Sequence, residues 1–148
     1  MHAMITVALK PTIHCTWEDI MTTRDQVEKL VRYVEANRIL DALDELYADD
    51  VSMQDNLNPP VVGKDANRDR ERAFFGSITV HQNRALSVAV DGDQAVIHWL
   101  FEFTGADGKR YRMDQLSHQQ WKNGRVVKER FYYDSANIVD DGVTSAAA

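Results

Sequence analysis

The run Tyr47-Ala-Asp-Asp-Val-Ser-Met-Gln-Asp55 ends on the residue with the clearest chemical potential in this chain. Read as a strand over 51–55, it alternates so that Val51 and Met53 share a face with Asp55, and a face built for burial finishes in a carboxylate. Later strands add Glu129 and Tyr133 to that face, with the polar Gln115 and Ser117 and the apolar Trp99, Phe101, Met113 and Phe131. A carboxylate among such walls is poorly solvated, which makes an acid a better proton acceptor near neutrality. The chemistry this permits is removal of an acidic carbon-bound proton by Asp55. Glu129 would serve as a second acid or base, and Gln115, Ser117 and Tyr133 could hydrogen-bond a carbonyl or developing enolate.

The expected catalytic residues are therefore Asp55, Glu129 and Tyr133. The expected substrate-binding residues are Trp99, Phe101, Met113, Gln115, Ser117 and Phe131. Each has a plainer reading: Asp at a strand end caps the following loop, Gln and Ser can be satisfied interior polar groups, and Trp and Tyr are common cavity walls.

Other chemistries find little support. The chain has no Gly-rich phosphate loop, no nucleophile elbow and no cysteine pair, and its five histidines lack a ligand spacing. Neither a metal nor a cofactor is expected. The net charge of −6, with basic residues scattered among acids, lacks the footprint of a nucleic-acid binder. No apolar run approaches the roughly 20 residues of a membrane span, and the single Cys15 cannot form an internal disulfide. The sequence predicts a soluble cytoplasmic protein whose partner is a small hydrophobic molecule.

The elements that must position these groups follow from periodicity. With 148 residues, 44% of them apolar, the chain suits one domain over 21–138, preceded by an extension over 1–20 and followed by a disordered tail over 139–148. Thr23 with Gln26 makes a capping box, and Val27, Leu30, Val31 and Val34 mark one helix to about residue 36. A second helix covers 39–47. Pro59-Pro60 makes 56–63 a loop, and a third helix runs over 64–75. In that third helix Ala66, Ala73 and Phe74 face inward and the run Arg68-Asp-Arg-Glu-Arg72 faces solvent without a function.

Strands then cover 78–90, 94–104, 109–121 and 126–134, separated by Asp91-Gly92, Asp107-Gly108 and Asn123-Gly124. Helices followed by a meander predict an α+β fold. Reading Ala106-Asp-Gly108 and Lys122-Asn-Gly124 as three-residue turns sets Trp121 opposite Arg125 and Gln115 opposite Phe131. The inner face then holds all the site candidates together with Tyr111, Trp121 and Val127. The outer face holds His98, Leu116, His118 and Tyr132, with Glu102, Arg112 and Asp134 in a row as an ion ladder. Two-residue turns would flip every face by one position.

The stretches Tyr47-Ala-Asp-Asp-Val-Ser-Met-Gln-Asp55 and Trp121-Lys-Asn-Gly-Arg-Val-Val-Lys-Glu-Arg-Phe-Tyr-Tyr-Asp134, in this order of elements, resemble the nuclear transport factor 2-like superfamily, in its SnoaL-like and ketosteroid-isomerase-like branch. The resemblance covers about residues 22–138. It implies a curved mixed sheet wrapped around three N-terminal helices into a cone with a ligand cavity, and a homodimer formed through the outer sheet face.

It also implies that Asp55 matches the proton-shuttling base of ketosteroid isomerase. That enzyme's oxyanion tyrosine falls at Val31 and its protonated aspartate near Ser117, while the Arg-x-Asp pair of limonene epoxide hydrolase falls at His98-Trp-Leu100 and its further aspartate at Phe131. Neither complete residue set is present. The expected function is a cofactor-independent isomerase, cyclase or lyase, polyketide cyclase-like, acting on a cyclic or aromatic carbonyl compound. The alternative is a non-catalytic small-molecule-binding or dimerisation domain of the same fold. An empty, half-apolar cavity with Asp55 on its wall favours the first; an exposed, charge-paired Asp55 beside a cavity filled by Trp and Phe favours the second.

Overall fold

The computed structural model describes residues 21–136 and the backbone of 139–140; the N-terminal extension and the tail beyond 140 lie outside the described residues. Helix α1, Thr23–Glu35, buries Val27, Leu30 and Val34. Its capping box starts one residue earlier than the sequence predicts: Thr22 Oγ accepts from the Asp25 N–H at 3.2 Å, and the Thr22 N–H donates to Asp25 Oδ2 at 2.8 Å. Asp25 wins over Gln26 because a carboxylate in the first turn also meets the positive end of the helix dipole. Asn37, with φ of 57°, turns the chain into α2, Ile39–Leu46, which buries Ala42, Leu43 and Leu46.

Strand β1, Tyr47–Asp55, starts as α2 ends. The expected loop after it contains a short edge strand, β2, Val61–Val62, antiparallel to β1 through Ser52↔Val62 and Met53↔Val61. Helix α3, Lys64–Ser77, follows. Its first turn is fastened by the fully buried Asn67, whose Nδ2 donates to the carbonyls of Val61 and Gly63 at 3.0 and 2.9 Å.

The face of α3 differs from expectation. Ala66 and Ala73 are exposed and Phe74 sits at a rim, while Asn67, Arg70, Glu71 and Phe75 turn inward. The helix covers a cavity with polar contents, so the apolar residues do not mark its inner face.

The remaining strands are β3, Thr79–Asp91, β4, Gln94–Thr104, β5, Arg110–Lys122, β6, Arg125–Tyr133, and β7, Val139–Asp140. The sheet order is β2-β1-β6-β5-β4-β3, with β7 pairing β5, and β1 runs parallel to β6 while the other pairs are antiparallel. The pairing of β7 places Val139–Asp140 in the sheet, where the sequence predicts the start of a disordered tail. The fold is α+β, a curved mixed sheet around three helices. Register shifts in β1, in β3 at two places and at the β5–β6 hairpin mark β-bulges, which bend strands and tighten their twist.

One hairpin turn follows the sequence reading and one does not. Between β4 and β5, Thr104 pairs with Arg110, the Gly105 N–H donates to the Lys109 carbonyl at 2.9 Å, and Gly108 takes φ of 77°. Between β5 and β6, Lys122 pairs with Arg125 across a two-residue turn in which Asn123 and Gly124 both have positive φ, 51° and 72°. This type I′ geometry is the one that Asn-Gly favours.

Alone it would turn the inner face of β6 outward. A bulge between the pairs Gln120↔Lys128 and Trp121↔Val126 adds one residue and restores the alternation. The register moves by two: Gln115 pairs with Tyr133 and Ser117 with Phe131. Val126, not Val127, is fully buried. The ion ladder shortens as well, because Arg112 pairs with Glu102 on one side and with Val139 on the other. Asp134 instead accepts from the Ala136 N–H at 2.9 Å, past the end of β6.

Candidate active site

Inside the concave face, closed by the three helices, lies a cavity of about 300 Å³. Its walls are largely apolar and aromatic, with Trp99, Phe101, Met113 and Phe131 from the sheet meeting Phe74 and Phe75 from α3. The rings of Phe74, Phe101 and Phe103 pack against one another at centroid distances of 4.7 to 6.3 Å. Of the predicted site residues, Asp55, Glu129, Tyr133 and Gln115 line the cavity beside these walls. Ser117 does not. It is fully buried behind Trp99 and accepts from the indole Nε1–H at 3.1 Å.

Asp55 stands at the end of β1 opposite Phe131. The loop beyond it is tied to β6 through Asn56, whose N–H donates to the Phe131 carbonyl at 2.8 Å and whose Oδ1 accepts from the Tyr133 N–H at 3.0 Å. The expected poorly solvated carboxylate is not what forms. The Asp55 side chain is 30% exposed, and its Oδ2 accepts from Arg70 Nη1 at 3.0 Å. Arg70 also donates from Nη2 to Glu71 Oε1 at 3.0 Å, so one guanidinium bridges two carboxylates on the cavity wall. Burial of Glu71 pushes its carboxyl above the usual range, against the pull of Arg70. Tyr133 is raised by partial burial and then by the charge of Asp55.

Glu129 is the deep acid. It is 2% exposed and hydrogen-bonded on both oxygens, to the Tyr47 hydroxyl at 2.7 Å and to Gln119 Nε2 at 2.7 Å. Burial lifts its pKa to about 7, offset by the hydrogen bonds from Tyr47 and Gln119 and reinforced by the charge of Glu71. Burial, then the neighbouring Glu129, drives the Tyr47 hydroxyl well above its ordinary value. Because β1 is parallel to β6 with Met53 opposite Glu129, Asp55 lies two residues further along the same face. That separates the two acids by roughly 7 Å along the sheet.

Four participants escaped the sequence reading. Gln119 continues the alternation of Gln115 and Ser117, and that signal was legible. Tyr47 sits at the junction of α2 and β1, where neither periodicity applies. Arg70 and Glu71 belong to the stripe Asn67, Arg70, Glu71, Phe74, which keeps helical spacing, but its polar members look like a solvated face. Among the described residues no group of three or more His, Cys, Asp or Glu is placed to hold a metal ion.

The model of the SnoaL-like domain matches residues 27–129, most of the described domain. The chain belongs to the SnoaL-like family. Solved structures share the fold. A candidate SnoaL-like polyketide cyclase from Mesorhizobium loti is 26% identical, with a TM-score of 0.71 over 76% of this chain and 100% of its own. An LEH-like epoxide hydrolase from M. tuberculosis is 16% identical, with a TM-score of 0.66 over 78% of this chain and 85% of its own. A candidate polyketide cyclase from Pseudomonas putida is 16% identical, with a TM-score of 0.67 over 79% of this chain and 95% of its own. No curated protein matches the chain.

These solved structures bear the names of proteins that convert small molecules, which fits a SnoaL-like chain with a largely apolar cavity. The residues at which the sequence reading departs from ketosteroid isomerase have structural surroundings of their own. Val31 is partly buried against the core, and Ser117 accepts from Trp99 and hydrogen-bonds Glu129. Arg112 and Asp114 point to the outer face, where Asp114 Oδ1 lies 2.7 Å from His98 Nε2. No helix among the described residues is long and apolar enough to cross a membrane.

Proposed function

We propose that this SnoaL-like protein is a cofactor-independent acid–base enzyme, an isomerase, cyclase or lyase, acting on a small hydrophobic cyclic or aromatic carbonyl compound. Asp55 is the general base. Glu129 is the acid that answers it, and Tyr133, beside Asp55, orients the reacting carbon. The observation that carries this reading is the contrast between two carboxylates on one apolar cavity: Asp55 is ion-paired and partly solvated, whereas Glu129 is buried and stays protonated up to about pH 7. Two acids whose surroundings treat them so differently can take opposite roles in one proton transfer. The ion pair of Asp55 is the feature a pure binding pocket would share. The cavity of about 300 Å³ left open beside it favours turnover over a filled, structural interior.

The test is deuterium uptake from heavy water into a panel of cyclic and aromatic ketones, followed by NMR, with wild type and Asp55→Asn side by side. Uptake catalysed by wild type and lost in the variant supports the reading; ketones that bind without exchanging in wild type overturn it.

The outer sheet face supports a homodimer. Leu116 lies between His98 and Tyr132 in the ladder, and Leu86, Leu116 and Tyr132 are each just over 40% exposed. Self-association through this face would cover them. A monomer in sedimentation at micromolar concentration would sink the dimer.

A further inference from the structure

The hydrogen bonds around Glu129 have a direction that chemistry fixes from one end. The Trp121 indole Nε1–H can only donate, and it meets Gln119 Oε1 at 3.1 Å. Gln119 must therefore present its amide nitrogen to Glu129, donating to Oε1 at 2.7 Å. With Oε1 accepting, a proton on Glu129 resides on Oε2, which lies 2.7 Å from the Tyr47 oxygen. A phenol has a single hydrogen. When Glu129 is ionised, Tyr47 gives that hydrogen to Oε2. When Glu129 is protonated, Oε2–H donates to the Tyr47 oxygen and the phenolic hydrogen is released to turn toward the cavity that both residues line.

We propose that Tyr47 is a catalytic residue that relays the Glu129 proton into the cavity, so that the ligand binds with an acceptor-only oxygen against Tyr47 and its acidic carbon toward Asp55. This rests on the reading of the cavity as a carbonyl-converting site and specifies the polarity of its ligand. As Asp55 takes the carbon-bound proton, negative charge develops on the ligand oxygen. The Tyr47 O–H bond breaks toward that oxygen while the Oε2–H bond breaks toward the Tyr47 oxygen. The products are a neutral enol, an intact tyrosine, an ionised Glu129 and a protonated Asp55, so protons and charge balance without a further reactant.

The relay has to be concerted, because burial beside Glu129 makes a free tyrosinate unfavourable. The titratable groups facing Glu129 are Tyr47 from β1 and Glu71 from α3, while β5 contributes the uncharged Gln119 and Ser117. The negative charge of Glu71 opposes ionisation of Glu129 and so favours the arrangement that frees the Tyr47 hydrogen.

The experiment has two parts, using the full chain. In ligand-free protein, the Glu129 carboxyl and the Tyr47 ring carbon bearing oxygen are followed by 13C NMR against pH. The relay requires both to titrate together near the value of about 7, and the Tyr47 response to vanish in Glu129→Gln. Then 2-acetylnaphthalene, labelled at its carbonyl carbon, is bound and its carbonyl stretch recorded by infrared difference spectroscopy. In wild type the stretch should shift to lower frequency below pH 7 and lose that shift above it. Tyr47→Phe should lack the shift at every pH. Glu129→Gln, whose amide N–H replaces Oε2–H, should keep it at every pH. Independent titration of the two residues, or a carbonyl shift that survives in Tyr47→Phe, overturns the relay even if Asp55-dependent exchange is found. Paired titration without Asp55-dependent exchange would leave the relay standing and overturn the base.

Discussion

Arg70 Nη1 stands 3.0 Å from Asp55 Oδ2, and through this contact a helix that looks solvated in the sequence fixes the carboxylate on the cavity wall. The guanidinium is held in turn by Glu71, its own neighbour in the chain, at 3.0 Å. A planar fork gripped on two sides orients a carboxylate better than a flexible ammonium does.

Replacing Arg70 should therefore damage turnover more than stability. The pair is about a third exposed, which limits its contribution to folding to about 1 kcal/mol or less. A carboxylate displaced by an ångström can cost on the order of 100-fold in rate. We expect Arg70→Leu to lower Asp55-dependent deuterium exchange by roughly that factor, and Arg70→Lys to recover only part of it. Equal rates in Arg70→Leu and wild type would remove Arg70 from the site.

Glu129 should leave a signature in stability against pH. Its pKa is raised from 4.5 in the unfolded chain to about 7 in the fold, so between these values the native state binds a proton that the unfolded state has released. The stability that neutral Glu129 contributes is complete below pH 4.5 and is lost as the pH rises to about 7. This loss is roughly 3 kcal/mol. Denaturant unfolding should show wild type losing stability across that window more steeply than Glu129→Gln, whose side chain does not titrate. Parallel curves would mean that Glu129 is not protonated in the fold.

How far these features were legible depends on what kind of pattern carries them. The strand alternation placed Asp55, Glu129, Phe131 and Tyr133 on one face correctly, because period two survives small errors at strand ends. It placed them even though the β5–β6 turn was read with the wrong length, since the type I′ turn and the bulge displace the register in the same sense and their sum is even. The positions of Arg70 and Glu71 could not be read by seeking apolar stripes, since a helix over a polar cavity presents charge inward. Ser117 lies on the predicted face yet sits behind the cavity wall against Trp99 and Glu129, a placement set by packing depth and not by periodicity.

The open cavity predicts an unusual tolerance. Val34 borders it from α1 and is only 6% exposed. Enlarging a residue in a filled core costs typically about 1–3 kcal/mol, but the extra atoms of Val34→Phe have empty space to enter. We expect this variant to keep wild-type stability to within about 1 kcal/mol while weakening 2-acetylnaphthalene binding at least tenfold. Undiminished binding would place the ligand elsewhere.

The bulge in β6 makes the last prediction. Between Val126 and Lys128 the chain carries Val127 as the residue without a facing partner in β5. Deleting it leaves Val126 opposite Trp121, Lys128 opposite Gln120 and Glu129 opposite Gln119, so every inward side chain keeps its face. The cost should stay within about 1–2 kcal/mol. Deleting Arg130 instead removes a residue from regular strand, and Phe131 and Tyr133 then turn outward while Tyr132 turns in. That variant should fail to fold, because it strips the cavity wall and detaches Asn56, and with it the end of β1, from β6 at the same time. Thermal unfolding followed by circular dichroism separates the two. A cooperative transition for the Val127 deletion and none for the Arg130 deletion is expected; the reverse would show that β6 is held by the turn and not by its buried face.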